Sequence, residues 1–415
     1  MTTPSPTAEA GRRGEDVRSD CWVRITFRDS GGLEINLKSK VESMYGEATR
    51  ALIRNVLATF KIKHAAIDME DSGALPFVIA ARLEAAVRRS GLDVGESYLP
   101  DPAAGTDYGT KRDRFRRSRL YLPGNEPKFM INAGIHKPDG VILDLEDSVA
   151  PSEKDAARLL VRNVLVSIDF FGAERMVRIN QGERGLEDLD FVAPHNVHVV
   201  LIPKVESPDQ VRAVDERIRI VLSRAPRAAG FSPREASGGD GSTCGVFLMP
   251  IVESALGAIR AYEIATACDS IVALTIGLED YTADIGTQRT DEGRESFWAR
   301  AQVVNAARAA GVPPIDSVYS DVGDMDGLRR SVLEAKSLGF EGKGCLHPRQ
   351  IEVVHEAFAP TAAELEKAQR IVAAFEEAEK KGLGVVSLGS KMIDPPVVKR
   401  AQRVVRLAKA MPDRD

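Results

Sequence analysis

Beyond residue 115, six short apolar runs end in charge: LDLED, VRIN, IPKVES, PIVES, IGLED and SVYSD. An apolar run that stops at an acid or base reads as a buried strand delivering polar groups to one end of a sheet. Taken singly, each acid caps the next helix as readily as it does chemistry. Gathered at one end they differ, because carboxylates buried together are costly unless a cation pairs with them. No Cys or His cluster accompanies these acids, so the donors are oxygens, which suit magnesium or manganese held by one or two carboxylates. Glu253 and Asp280 are the candidate metal ligands, each fixed by the strand before it. Arg178 offers a planar, permanently charged fork for a carboxylate or thioester oxygen. Lys204 either contacts the ligand or neutralises a neighbouring acid. The competing arrangement is a structural network in which Arg178 and Lys204 only balance Glu253 and Asp280.

Two further groups are weighed the same way. Of six histidines, only His347 in CLHPRQ directly follows a strand-like run, as a base or as a capping residue. The run KRDRFRRSR brings together Lys111, Arg112, Arg114, Arg116, Arg117 and Arg119. It either attracts the phosphates of a nucleotide-bearing substrate, with Arg117 the substrate-binding candidate, or forms a solvated linker face. There is no P-loop, nucleophile elbow or aromatic-interleaved nucleic-acid surface.

The elements that must position these residues alternate. SRLYLP, DGVILDLE, RMVRIN, VHVVLIPK, GVFLMPIVE, SIVALTIG, IDSVYS and FEGKGCL are separated by helix-length segments over residues 116–350. That rhythm predicts a (β/α)8 TIM barrel, in which catalytic groups sit at the C-terminal ends of the strands. An open doubly wound sheet is the alternative, but no GxGxxG follows the first strand. Residues 225–245 read as a long loop, and residues 351–415 as an appended helical extension around GVVSLGSKMIDPP.

The first part is different in kind. Residues 1–19 are polar and read as a disordered tail. Residues 20–95 read as a small α+β domain, with CWVRITF and LEINLKS as a hairpin turned at Asp29–Gly32. A helix follows with Met44, Ala48, Leu52, Val56 and Leu57 on one face, then the strand HAAIDME and a second helix. Residues 96–115 have linker composition.

Composition limits the function classes. The 415 residues hold 56 Lys and Arg against 61 Asp and Glu, a net charge of −5 that argues against a nucleic-acid partner. No apolar run approaches the roughly 20 residues of a membrane span, and no secretory signal is evident. Cys21, Cys244, Cys268 and Cys345 are dispersed, so neither a zinc site nor a disulfide framework is indicated, and the expected compartment is the cytoplasm.

RSRLYLPGNEPKF, GVILDLEDSVAPSEKDAAR, MVRIN, PKVES, IVESALG, GLEDYTADIGTQRTDEG, DSVYSDVGDMDGL and LGFEGKGCLHPRQIEVVHEAFAPT together resemble the citrate lyase β-subunit family. That family belongs to the aldolase and citrate lyase superfamily, which includes malyl-CoA and citramalyl-CoA lyases. The resemblance runs in order from about Arg116 to Met411. ITF, LEINLKSKVESMYGEATR and DMEDSGALPFVIAARLEAAV resemble the γ subunit, the acyl carrier protein of the same complex.

What the resemblance implies is a magnesium-dependent retro-Claisen cleavage of a citryl thioester to oxaloacetate and an acetyl thioester. Glu253 and Asp280 would hold the metal, Arg178 would contact substrate, and Asp147 in LDLED would orient water on the metal. Water, an acid of LDLED or His347 would take the hydroxyl proton. The competing substrates are citramalyl-CoA and malyl-CoA, and the competing class is a non-catalytic carrier or scaffold. A homo-oligomer and an α-type transferase subunit are the implied partners.

The chain departs from the family twice. The carrier's phosphopantetheine-type group sits on a serine two residues before an aspartate, a position held here by Arg18, with Ser19 next to it. Either Ser19 accepts the group or the domain is a remnant and the enzyme takes a free CoA thioester. Relatives that hydrolyse or condense thioesters carry Asp in a DGKMID-like segment, where this chain has Gly389, which favours simple cleavage.

Overall fold

The computed structural model describes residues 7–92, 94–224, 245–380, 386–388 and 391–409. The loop expected at 225–245 therefore falls almost wholly outside the described residues, as does Gly389. In the N-terminal unit the elements are β1 (Thr7–Gly11), β2 (Cys21–Phe27), β3 (Leu33–Ser39), α1 (Glu42–Thr59), β4 (Ala65–Asp71) and α2 (Pro76–Arg89). The sheet order is β1-β2-β4-β3.

Three expectations are corrected here. Part of the tail predicted to be disordered is β1, antiparallel to β2 with Ala8 and Ala10 buried. β2 and β3 do not form a hairpin: β4 lies between them, antiparallel to β2 and parallel to β3. In the central slot β4 is buried along most of its length, whereas β3 at the edge is at best half-buried. The connection β3-α1-β4 then becomes a crossover, as parallel neighbours require. The buried face of α1 is Gly46, Thr49, Ile53, Val56 and Leu57, which leaves Met44 and Ala48 in solvent. The helical period was legible, but two interleaved apolar rows competed for the core.

The barrel follows: β5 (Ser118–Pro123), α3 (Pro127–Met130), β6 (Gly140–Asp144), α4 (Lys154–Ser167), β7 (Glu174–Arg178), α5 (Gly182–Val192), β8 (Val199–Ile202), α6 (Pro208–Arg224) and β9 (Phe247–Val252). It continues with α7 (Ala255–Ile259), α8 (Ala261–Ala265), β10 (Leu274–Ile276), α9 (Leu278–Asp284), α10 (Arg294–Ala309), β11 (Pro314–Ile315), α11 (Met325–Leu338), β12 (Lys343–Cys345) and α12 (Arg349–Phe358). The eight parallel strands run β11-β10-β9-β8-β7-β6-β5-β12, and the bridge Asp316–Lys343 closes the ring. Alternation divides the core: Val199 and Leu201 point inward with Met176, Met249 and Ile251, while Val200 and Ile202 face the helices. Helix α13 (Ala362–Lys380), the two short strands β13 (Val386–Leu388) and β14 (Lys391–Ile393), and α14 (Pro395–Lys409) complete the chain, with α13 and α14 sharing a small core of their own. Among the described residues no helix is long and apolar enough to cross a membrane.

The small unit is cemented to the barrel. Every residue of α2 from Phe77 to Val87 is buried, because the helix lies between its own sheet and α4. Ala80, Ala81, Ala85 and Ala86 let the two helices approach, and one continuous apolar core spans both units. Its two charges are paired: Glu84 takes both Nη atoms of Arg162 at 3.0 and 2.7 Å, and Arg82 grips Asp20 at 3.0 and 2.8 Å. Asn163 donates to the Phe77 carbonyl, and Arg89 holds Asp155 and the Ser152 carbonyl.

The segment expected to be a free linker is packed as well. Arg114 donates to the carbonyls of Asp139 and Gly172, Arg116 is buried in a bidentate pair with Glu174, and Arg175 donates to the carbonyls of Thr106 and Tyr108. All these partners lie at the N-terminal ends of strands. Residues 106–117 therefore close the end of the barrel opposite its mouth.

Candidate active site

At the mouth, the last residues of β6 and β7 stand in register, Asp144 beside Arg178. The Arg178 fork gives Nε and Nη2 to the two oxygens of Asp144 at 2.7 and 2.8 Å, and Nη1 lies 2.9 Å from Glu146 and 3.6 Å from Asp147. Burial opposes the charge of Arg178, but the bond to Asp144 outweighs it and holds the guanidinium above the usual arginine range. Asp144 is held below the usual carboxylate range because the same bonds outweigh its burial. The face of Arg178 lies over the Tyr121 ring, 5.4 Å from its centre. This arginine is locked in orientation.

Across the mouth, Glu253 follows β9 and is 4% exposed. Its Oε1 accepts the Lys204 backbone N–H at 2.7 Å, which Lys204 can present because its φ of 48° is left-handed. The Lys204 ammonium reaches Asp280, in the first turn of α9, at 2.9 Å. Burial, with Glu146 and Asp280 adding repulsion, pushes the Glu253 carboxyl up to about 8 against the Lys204 N–H and Arg178. Gly277 in IGLED permits this packing, since a Cβ there would come within 2.4 Å of Glu253 Oε2.

A cavity of about 190 Å³ opens among Arg178, Glu253, Asp280, Asp147 and Ser317, with Arg119 and Tyr121 at its floor. A second cavity of about 560 Å³ adjoins it at Leu278 and Glu279 and includes Arg289, Arg300 and Tyr319. Arg119 is 1% exposed inside the barrel, donating to Met249 S and Thr275 Oγ1 at 3.1 Å each, and burial lowers its pKa.

The structure thus brings Arg178, Asp147, Lys204, Glu253 and Asp280 together and excludes Arg117. Arg117 precedes β5 at the closed end, 7% exposed and bonded through Nε and Nη2 to Asp139, so the substrate-binding expectation is corrected. Ser19 also lies away from the mouth, half-buried with φ of 57° and its N–H on the Ser72 carbonyl. His347 accepts the Arg349 N–H at 3.2 Å as a turn cap and does not line the 190 Å³ cavity. Sequence reasoning missed Tyr121, gave Arg119 only as part of the basic run, and gave Asp144 and Glu146 only as acids of LDLED, without their grip on Arg178. The last two were legible as a pair, because period two puts Asp144 and Glu146 on one side of the strand end.

The HpcH/HpaI aldolase/citrate lyase family matches residues 117–348, and the malonate decarboxylase delta subunit (MdcD) family matches residues 11–90. The chain is 40% identical over 299 residues to the citrate lyase subunit beta of Haemophilus influenzae, covering 72% of this chain and 98% of that one. It is 33% identical to the mitochondrial citramalyl-CoA lyase of Mus musculus, over 72% of this chain and 88% of the relative. Among solved structures it resembles CitE of Mycobacterium tuberculosis in complex with magnesium, acetoacetate and coenzyme A, with 31% identity, a TM-score of 0.55, and coverage of 72% and 99%. With more than half its length matched, the chain belongs to the HpcH/HpaI aldolase/citrate lyase family and is a carbon–carbon lyase.

Proposed function

We propose that this lyase cleaves citryl-CoA, as a free thioester, to oxaloacetate and acetyl-CoA, with a magnesium ion held by Glu253 and Asp280. The observation that carries the reading is Glu253: a carboxyl group 4% exposed, facing Glu146 and Asp280, with only the Lys204 backbone N–H and the more distant Arg178 to offset a charge on it. Such a site fits a hard cation with oxygen donors, and the M. tuberculosis relative holds magnesium. When bound, magnesium would acidify the substrate's hydroxyl and offset its carboxylate charge. The chain's own residues do the rest. Asp144 and Glu146 fix Arg178 so that its fork meets the thioester oxygen on which negative charge develops as the C–C bond breaks. Lys204 clips Glu253 and Asp280 into one arrangement, and Asp147, 54% exposed at the rim of the same cavity, is the acid that takes up the hydroxyl proton on this reading.

The free thioester is favoured over a carrier-bound one by two features of the small unit. Arg18 stands where the carrier's serine would be, and the buried pair Glu84–Arg162 with the Arg82 bond to the Asn125 carbonyl anchors the unit to the barrel, while Arg82–Asp20 stiffens it from within. On this reading no transferase subunit is required and Ser19 carries no phosphopantetheine-type group. The cytoplasm is the compartment that supplies a CoA thioester and keeps the buried thiols of Cys21 and Cys345 reduced. Exposed Ile259, Tyr262 and Phe297 on the packed helices α7, α8 and α10 support a homo-oligomer, measurable by light scattering. The deciding experiment incubates purified protein and magnesium with citryl-, citramalyl- and malyl-CoA and measures the keto acid released. Preferred release of oxaloacetate from citryl-CoA supports the reading. Preference for citramalyl-CoA reassigns the substrate.

A further inference from the structure

The first part of the basic run, which the active site does not use, lies at the opposite end of the barrel, and Arg112 and Arg114 border a cavity there. This space, about 390 Å³, is bordered by the segment before β5, the end of α10 and the turn into β11, Glu341 two residues before β12, and α14. Five arginines line it (Arg112, Arg114, Arg308, Arg403 and Arg406) against two carboxylates, Asp113 and Glu341.

The existing bonds leave much of that charge unanswered. Arg308 and Arg403 share one carboxylate, Glu341, with Arg403 Nη1 2.5 Å from it. Arg112 and Arg114 are held by backbone carbonyls, those of Asp269, Ile271, Asp139 and Gly172. Arg406 lies over the Phe115 ring. Burial and the nearby Arg308 and Arg406 lower the Arg403 pKa, against the pull of Glu341. Helices α10 and α11 both end close by, and each terminus supplies about half a negative charge from its carbonyls. Five cations, two carboxylates and two such termini leave roughly two positive charges around a space the size of a small metabolite.

We propose that this cavity binds a compact, doubly charged oxyanion, a phosphate monoester or a dicarboxylate, at the end of the barrel opposite the lyase centre. The guanidinium forks suit the paired oxygens that both chemistries present. Arg112 and Arg406 are exposed and have room to turn toward such a ligand. An anion held between them joins α14 to the segment that closes the barrel.

The test is calorimetric titration of the full-length, metal-free protein with inorganic phosphate and with succinate, at ionic strength fixed with chloride. One saturable site per chain is expected for at least one probe. The tighter probe assigns the ligand to phosphorylated or to carboxylic metabolites. The double variant Arg112→Gln/Arg406→Gln removes two charges without touching the Glu341 pairs, and should weaken binding by roughly tenfold or more. Glu341→Gln acts in the other direction, tightening binding severalfold. Arg212→Gln, a surface control on α6, should change nothing. Failure of both probes to saturate, wild-type affinity in the double variant, or equal loss in the control each overturns the proposal.

Discussion

Replacing Glu84 by alanine tests whether the N-terminal unit is cemented to the barrel or merely tethered. Glu84 is fully buried and accepts from Arg162 at 3.0 and 2.7 Å, from Arg88 at 2.9 Å and from the Tyr98 N–H at 3.2 Å. Its loss strands the 1%-exposed guanidinium of Arg162 on α4 with only Asn163 Oδ1 and the Tyr98 carbonyl. Breaking a buried pair from one side costs about 3–5 kcal/mol, which for a body this large is a fall in Tm of roughly 3–6 °C. The assay is calorimetric melting beside kcat, and the two units should melt together. The pH dependence has a definite sign. Burial raises the Glu84 carboxyl, but Arg162 and Arg88 outweigh it, so its folded pKa lies below the unfolded value. Its stabilisation is therefore complete above the unfolded pKa of about 4.3 and is lost as pH falls through the folded one. The gap in Tm between wild type and variant should stay constant near neutrality and narrow in acid. A Tm within about 1 °C of wild type, or an early transition confined to the small unit, would refute the cemented arrangement.

Four further outcomes are expected. Arg178→Lys keeps the charge but loses the bidentate grip on Asp144 and on the developing oxyanion, so steady-state kinetics should show a fall of about a hundredfold or more in kcat; a near-normal rate assigns the residue to packing. Glu253→Gln and Asp280→Asn should abolish cleavage and weaken manganese binding followed by electron paramagnetic resonance, with circular dichroism unchanged. In metal-free protein Glu253→Gln should also raise Tm, because a neutral amide replaces a carboxyl that burial and two neighbouring acids force to take up a proton on folding; a lower Tm would mean that the ionised group is compensated. Gly277→Ala drives a Cβ against Glu253 Oε2 and should weaken manganese binding without a large loss of stability.

The barrel was legible because its evidence is periodic: eight apolar runs alternating with helix-length segments, six of them ending in charge, leave little freedom in topology. The small unit was less legible because strand order depends on competition between strands. CWVRITF and LEINLKS each look like half of a hairpin, and AAIDMED, with its three acids, gives no sign in composition that it takes the centre, although there it is far more buried than β3. The linker misled for another reason. Its Pro, Gly and Arg content signals an absence of helix and strand, and the structure agrees, yet irregular backbone can still be packed when arginines supply the carbonyls of neighbouring loops with donors.

At the site, the decisive variable was which end of a strand a charge occupies. Arg117 and Arg178 are both arginines beside apolar runs, but Arg117 precedes SRLYLP and Arg178 ends ERMVR. In a parallel barrel everything before a run gathers at one end and everything after it at the other, so the two cannot meet at one substrate. Sorting the charges by that rule separates the barrel into unlike ends. The mouth collects Asp144, Glu146, Asp147, Glu253 and Asp280 against Arg178 and Lys204, an excess of acid that calls for a cation. The closed end collects Arg112, Arg114, Arg308, Arg403 and Arg406 against Asp113 and Glu341, an excess of base. Helix termini reduce both excesses, since the helices begin at the mouth and end at the closed face, and the two termini beside the closed-end cavity still leave roughly two positive charges there. The same arithmetic that assigns a metal to the mouth therefore assigns an anion to the other end.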